Sequence, residues 1–352
     1  MQRLLHNDKF INILIPVLAT ILGMIAGAII MLLGGYDPVK GYEALWNGVF
    51  GSPRAIGETI RAMSPLILAG LAVGFAFKTG LFNIGVEGQL LVGWLASVWV
   101  GYALNLPSII HIPLAIIAAA IAGAIWGLVP GLLKAYFKVH EVIVTIMMNY
   151  IALYVTADLI KRFLYAGNEK SFKVQESASL ASEFLASITS NSRLHYGIIV
   201  AIIAAIIMWY LLERTTKGFE LRAVGLNQHA SAYSGMSVKK NIILSMVISG
   251  AFGGLAGAME GLGTFQNMTV LSSFTGTGFD GIAVALLGAN NAFGIIVAAA
   301  LFGGLNTAAP QMSFNANVPP ELIDIVIALI IFFVASSYII RVLLTRLRKE
   351  GK

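Results

Sequence analysis

Two carboxylates stand inside otherwise apolar sequence, Glu87 in NIGVEGQ and Asp280 in GTGFDGIAVALLG. At membrane depth a charge costs roughly 2.5–3.5 kcal/mol even on a lenient insertion scale, so each needs a reason. Phe82, Asn83 and Gln89 surround the first; Phe265, Gln266, Asn267, Phe274 and Phe279 precede the second. Aromatic faces beside amide donors are the chemistry that holds a flat polar ligand such as a nucleobase. Each carboxylate also has a structural reading. Glu87 can accept hydrogen bonds from unwound backbone, and Asp280 can cap a short helix. Both readings stand at this point.

Nothing else in the chain offers catalysis. There is no GxxxxGK[ST] phosphate loop, so ATP hydrolysis is not this chain's work. There is no cysteine, and the five histidines show no metal-ligand spacing, so neither a metal nor a cofactor is implied. No Ser/His/Asp set lies in polar surroundings, which disfavours an intramembrane enzyme. His140 and Glu141 read as a helix start, Asn149 and Asn306 as interhelical hydrogen bonding, and Glu260 as a carboxylate snorkelling near the end of a span.

The elements that position these residues follow from composition. Of 352 residues 58% are hydrophobic and only 11% charged, against roughly 25% charged in soluble domains. Lipid, not water, must solvate most of this surface. The net charge of +6 is therefore no sign of nucleic-acid binding, because the basic residues sit in short segments beside apolar runs. Spans are expected at Phe10–Leu33, Met63–Phe77, Ile84–Leu104, Ile112–Leu133, Val142–Ile160, Leu194–Leu212, Ile242–Leu262, Ala292–Ala309 and Leu322–Ile340, with a shorter tenth piece at Gly281–Leu287. The runs lack the alternation of a barrel, so the expected class is an all-α polytopic bundle of about nine or ten transmembrane helices. The first run is too long for a cleaved signal and reads as a retained helix. No stretch is polar enough for a soluble domain, so residues 1–352 read as one membrane domain.

Placing both termini in the cytoplasm puts 15 of the 23 basic residues inside. Residues 161–193 then form an extracellular loop. The arrangement closes only if residues 264–290 return partway across the membrane as a loop and a half-length helix. That segment and Lys78–Trp94 are both Gly-interrupted and fall in halves of opposite orientation, the pattern of an inverted repeat.

The longest basic segment inside, Glu213 to Lys240, exceeds what charge bias alone requires. Gly218 precedes FELRAVG, Asn227 can cap a short helix HASAYSG, and Gly235 closes it. A capped helix between two spans offers a rigid knob to a cytoplasmic partner. Gly225 and Gly235 flank the knob and are expected to need positive φ or close approach.

TTKGFELRAVGLNQHASAYSGMSV resembles the coupling segment of ABC importer permeases of the branched-chain amino acid and simple-sugar group. LFNIGVEGQLLVGWLAS and FTGTGFDGIAVALLG are similar to that group's nucleoside branch, and the resemblance covers residues 10 to 345. It implies an ATP-driven importer subunit for nucleosides, probed by Phe82, Asn83, Glu87, Gln89, Gln266, Asn267, Phe279 and Asp280 along the substrate pathway. Coupling to the motor would fall to Gly218, Arg222, Gly225, Asn227, Ala230, Tyr233 and Gly235. The implied partners are a second permease, a cytoplasmic ATPase and a lipid-anchored nucleoside-binding protein, in a bacterial plasma membrane. Gln228-His229-Ala230 departs from the more usual Pro- and Ala-rich version of this stretch. The alternatives are a sugar or branched-chain amino acid permease, and a proton-coupled transporter using Glu87 or Asp280.

Overall fold

Backbone that cannot reach water must pair within itself, and the chain does so with helices. A computed structural model describes residues 8–336. Fourteen helices follow one another: α1 (Asp8–Leu33), α2 (Pro38–Phe50), α3 (Pro53–Lys78), α4 (Val86–Ala103), α5 (Ser108–Phe137), α6 (Glu141–Leu159), α7 (Glu183–Ile188), α8 (Gly197–Arg214), α9 (Thr216–Leu226), α10 (Gln228–Tyr233), α11 (Val238–Ala258), α12 (Thr277–Leu287), α13 (Ala292–Ala316) and α14 (Pro320–Ala335). Among the described residues six segments are long and apolar enough to cross a bilayer: α3, α5, α6 with its extension to Leu164, α8, α11 with its extension to Thr264, and α13. The chain is thus an all-α multi-pass membrane protein. The expected span to Ile340 runs past the last described residue.

Two compact units divide the chain, residues 56–303 and residues 1–55 with 304–352. In the second, α1 packs on α14, with Gly23 against the Ile330 backbone and Gly27 against Val326. The sequence reading missed α2. Its start has a local cause: the Asp37 side chain accepts from the Val39 and Lys40 amides, and Pro38 takes the first helical position.

In the larger unit α4 is enclosed by α5, α6, α11 and α12. Glycines set the spacing. A Cβ on Gly254 would strike the Ala119 carbonyl, one on Gly93 would strike Gly254 backbone, and one on Gly123 would strike the Gly250 carbonyl. Here α4, α5 and α11 meet backbone to backbone, the close approach that small residues allow in membranes. Gly254→Val is expected to cost about 3 kcal/mol through overpacking. Thermal unfolding in detergent checks this; an unchanged midpoint would mean the three helices can part without cost.

Residues 161–193, expected as a loop, are ordered. A π-helical turn (Ile160–Leu164) leads into an antiparallel hairpin, β1 (Tyr165–Gly167) with β2 (Lys170–Ser171), in which Tyr165 faces Ser171. The strand then runs along the segment after α11: Ser171 N–H donates to the Met268 carbonyl, Val174 to Gln266, and Leu180 to Leu262. The pairing partner is some 90 residues away, which local sequence does not reveal.

Candidate functional site

The site begins where α4 starts. Glu87 lies in the first turn of α4 and is fully buried. Its Oε1 accepts from Thr275 N at 2.8 Å, Thr275 Oγ1 at 2.7 Å and Gly276 N at 3.0 Å, and its Oε2 accepts from Gly278 N at 2.6 Å. Both oxygens therefore cap the N-terminus of α12, where free amides and the helix dipole favour a negative charge. Gly276 supplies positive φ (+87°), and a Cβ on Gly278 would collide with the Glu87 backbone. These two contacts explain the GTG of this stretch. Of the two readings of Asp280 in the sequence, the N-cap is not met. The helix starts four residues earlier, Gly276 holds the capping position, and Asp280 sits half-buried in the first turn.

Asn83 and Gln89 are buried and serve each other. Asn83 Nδ2 donates to Gln89 Oε1 at 3.0 Å and to Ser249 Oγ at 2.8 Å, and Ser249 Oγ donates to the Ala72 carbonyl. Asn149 closes the break from the other side, accepting from Gly88 N at 2.8 Å and donating to the Ile84 carbonyl at 3.0 Å. The interhelical role expected of Asn149 is met. Phe82 packs on Phe77, ring centroids 4.8 Å apart.

Gln266 and Asn267 lie apart from this cluster. Gln266 donates to Ser179 Oγ at 2.9 Å, and the Asn267 carbonyl accepts from Trp94 Nε1 at 2.8 Å. Phe265 stacks on Trp94. Gln266 lines a recess of about 580 Å³ at the end of the bundle that carries 173–193, together with Lys173, Glu176, Ser179, Arg193 and Thr264.

Phe274 and Phe279 come together instead with a residue the sequence reading passed over. Tyr150 packs edge-on against Phe274 with centroids 5.0 Å apart, and Phe274 packs edge-on against Phe279 at 5.7 Å. Tyr150 lies midway along α6 and is half exposed, and Tyr154 one turn on is more exposed still. Ser272, Ser273 and Thr275 are exposed beside them. The exposed faces of α5 and α8 are mostly isoleucine, with Tyr136, Phe137 and Tyr210 near their ends. The available signal was the spacing in NYIALY, which puts two tyrosines on one helix face.

At the opposite end of α8 the basic segment forms α9 and α10. The Thr215 side chain caps α9 through Gly218 N, and the Asn227 side chain caps α10 through Ala230 N at 3.0 Å. The expected capped helix is present, closed by Gly235 at φ +82°. Arg222 pairs with Glu213 at 2.8 Å, and Lys217, then Asn241, hold the Glu220 carboxyl below its ordinary range. Phe219, Leu226, Ala230 and Tyr233 are exposed, Tyr233 at 95%. Below them Val224 is buried in one core with Ala76, Leu81, Ala135, Ile242 and Met246. A Cβ on Gly225 would meet the Thr79 carbonyl carbon and the Gly80 amide, so α9 rests directly on the break between α3 and α4.

Glu260 does not snorkel. It is 8% exposed, inside a π-helical turn (Met259–Thr264) that continues α11.

Multi-pass helices, a half-length helix capped from a neighbouring break, and a helical knob at one end define a membrane permease component. The family model described as the permease component of branched-chain amino acid transport systems matches residues 55–335, and the chain belongs to that family. It is 62% identical over 340 residues to the guanosine ABC transporter permease protein NupP of Bacillus subtilis, covering 97% of this chain and 98% of that protein. It is 44% identical over 347 residues to the nucleoside ABC transporter permease protein NupB of Lactococcus lactis, covering 97% and 95%. A second Bacillus subtilis guanosine permease protein, NupQ, is 28% identical over 255 residues, 70% of this chain and 79% of that one. No solved structure matches the chain.

Proposed function

We propose that this chain is one permease subunit of an ATP-driven importer of nucleosides, with purine nucleosides such as guanosine among its cargo, working by alternating access. The observation that carries this is its 62% identity, end to end, with a protein named for guanosine. Uptake of labelled guanosine by a strain lacking this gene and by the same strain regaining it tests the reading; equal uptake by both overturns it. The proton-coupled alternative finds no support, because Glu87 is committed to the α12 amides.

The cargo route runs over the Tyr150–Phe274–Phe279 face and past the α12 N-terminus. Exposed hydroxyls at this depth are unsuited to lipid, so a second permease subunit covers the face and completes the path. Asn83, Glu87 and Gln89 hold the route's backbone in shape, while Phe279 and Asp280 border it. Gln266 and Asn267 belong to an outer vestibule, at the end where a lipid-anchored binding protein would hand over its nucleoside. The knob of Gly218, Arg222, Gly225, Asn227, Ala230, Tyr233 and Gly235 faces the cytoplasm and meets the ATPase. Both termini lie on that side, in a bacterial plasma membrane, and the whole chain acts as one permease domain. Binding along the route is weak, because a cargo that must leave cannot be held tightly. Tyr150→Ala and Phe274→Ala should each lower uptake about tenfold, from the loss of a stacking surface worth about 1–3 kcal/mol per base. Unchanged uptake in both would move the route elsewhere.

A further inference from the structure

A knot of charge lies beneath the outer recess, and the route above does not use it. Glu58 and Arg61 are one turn apart on α3, Arg193 and His195 precede α8, and Glu260 and Thr264 lie in the π-helical turn. Arg61 Nε donates to Glu58 Oε2 at 2.7 Å. Arg193 reaches that oxygen through Nη2 at 3.1 Å, and its backbone N–H donates to Glu58 Oε1 at 2.8 Å. One carboxylate thus holds both guanidiniums.

The other holds neither. Glu260 Oε2 is buried with no hydrogen-bond partner among the described residues, and the cations close enough to act on Glu260 are the same Arg61 and Arg193. His195 stands beside them, its Nε2 3.4 Å from Thr264 Oγ1. Two carboxylates face two guanidiniums, and both guanidiniums pair with Glu58. A buried carboxylate oxygen left unpaired is costly. Arg61 Nη1 already lies 3.4 Å from Thr264 Oγ1, one turn on from Glu260. Moving Arg61 across would leave Arg193 on Glu58 and give each carboxylate one guanidinium. Glu260 and Thr264 both lie in a π-helical turn, a geometry frequent at functional sites. Arg193 and Thr264 line the recess together with buried Leu194 and Gly263.

We propose that Arg61 is a two-position gate at the floor of the outer recess, paired with Glu58 in this state and with Glu260 when the floor opens. The proposal rests on the transport reading only for what passes through. The test uses Leu194→Cys, a single reporter in a chain without native cysteine, in the assembled transporter in nanodiscs reacting with a small maleimide. Glu58→Gln removes the closed position and should speed labelling about fivefold; Glu260→Gln removes the open one and should slow it about fivefold. The double variant should return near the parent rate. Both substitutions delete one negative charge, so a merely structural role would move labelling the same way in both. Same-direction changes, or none, overturn the gate. Should either glutamine variant be lost from the membrane, Glu58→Asp and Glu260→Asp weaken the same positions, and opposite signs are again required. Labelling needs no nucleoside. Absent guanosine uptake with opposite-sign labelling would overturn the cargo and keep the gate; normal uptake with same-sign labelling would do the reverse.

Discussion

Glu87→Ala is expected to abolish uptake and to lower stability by at least about 3 kcal/mol, because it strands buried donors that a charged acceptor had satisfied. Three of the four bonds come from backbone amides at the start of α12. Without them α12 loses its cap, and the half helix bordering the proposed route is no longer anchored to α4. Glu87→Gln keeps one carbonyl oxygen but turns an NH2 group toward a donor, so it should fall between the parent and the alanine variant. Thermal unfolding of the purified chain and guanosine uptake read the two effects. A proton-site role predicts another pattern, with the glutamine variant inactive yet as stable as the parent. Parental stability in the alanine variant would mean the cap is dispensable.

The same contact explains what the sequence did and did not disclose. Apolar runs marked the long helices because a bilayer sets their length. Thr215–Gly218 and Asn227–Ala230 are local caps, so α10 was legible from Asn227 and Gly235 alone. The cap of α12 is 188 to 191 residues distant in sequence. Without it in view, the sequence offered Asp280 as a cap, and the helix was started too late. The order of 169–174 escaped for a like reason, since that stretch pairs with 266–270. Asn83, Gln89 and Glu87 stood out in the sequence as a polar cluster. That their partners are mostly one another and the α12 amides is a fact of packing. Tyr150 was hidden by an ordinary apolar context; only its contact with Phe274 distinguishes it from a lipid-facing tyrosine.

Gly225→Leu is expected to lower uptake about a hundredfold while ATP hydrolysis by the assembled transporter continues, a loss of coupling at the upper end of the usual range. The cause is steric. A Cβ at position 225 comes 2.5 Å from the Thr79 carbonyl carbon and 2.7 Å from the Gly80 nitrogen, both backbone atoms that cannot swing aside. Gly80 itself sits at φ +76°, so neither side of the contact has room. Thr79 closes α3, its hydroxyl is paired with that of Ser245 on α11, and Leu81 shares a core with Val224. A push on α9 therefore arrives at the break that leads into α4 and Glu87. Gly235 flanks the same knob but has open space around it, so Gly235→Ala adds only the strain of a left-handed residue, about 1 kcal/mol, and uptake should stay near the parent. The quantity to measure is ATP hydrolysed per guanosine imported. It should rise steeply for Gly225→Leu and stay flat for Gly235→Ala. Equal ratios in the two variants would mean that the Gly225–Gly80 contact does not transmit the stroke, and a parallel fall in ATPase and uptake would mean that the contact serves assembly instead.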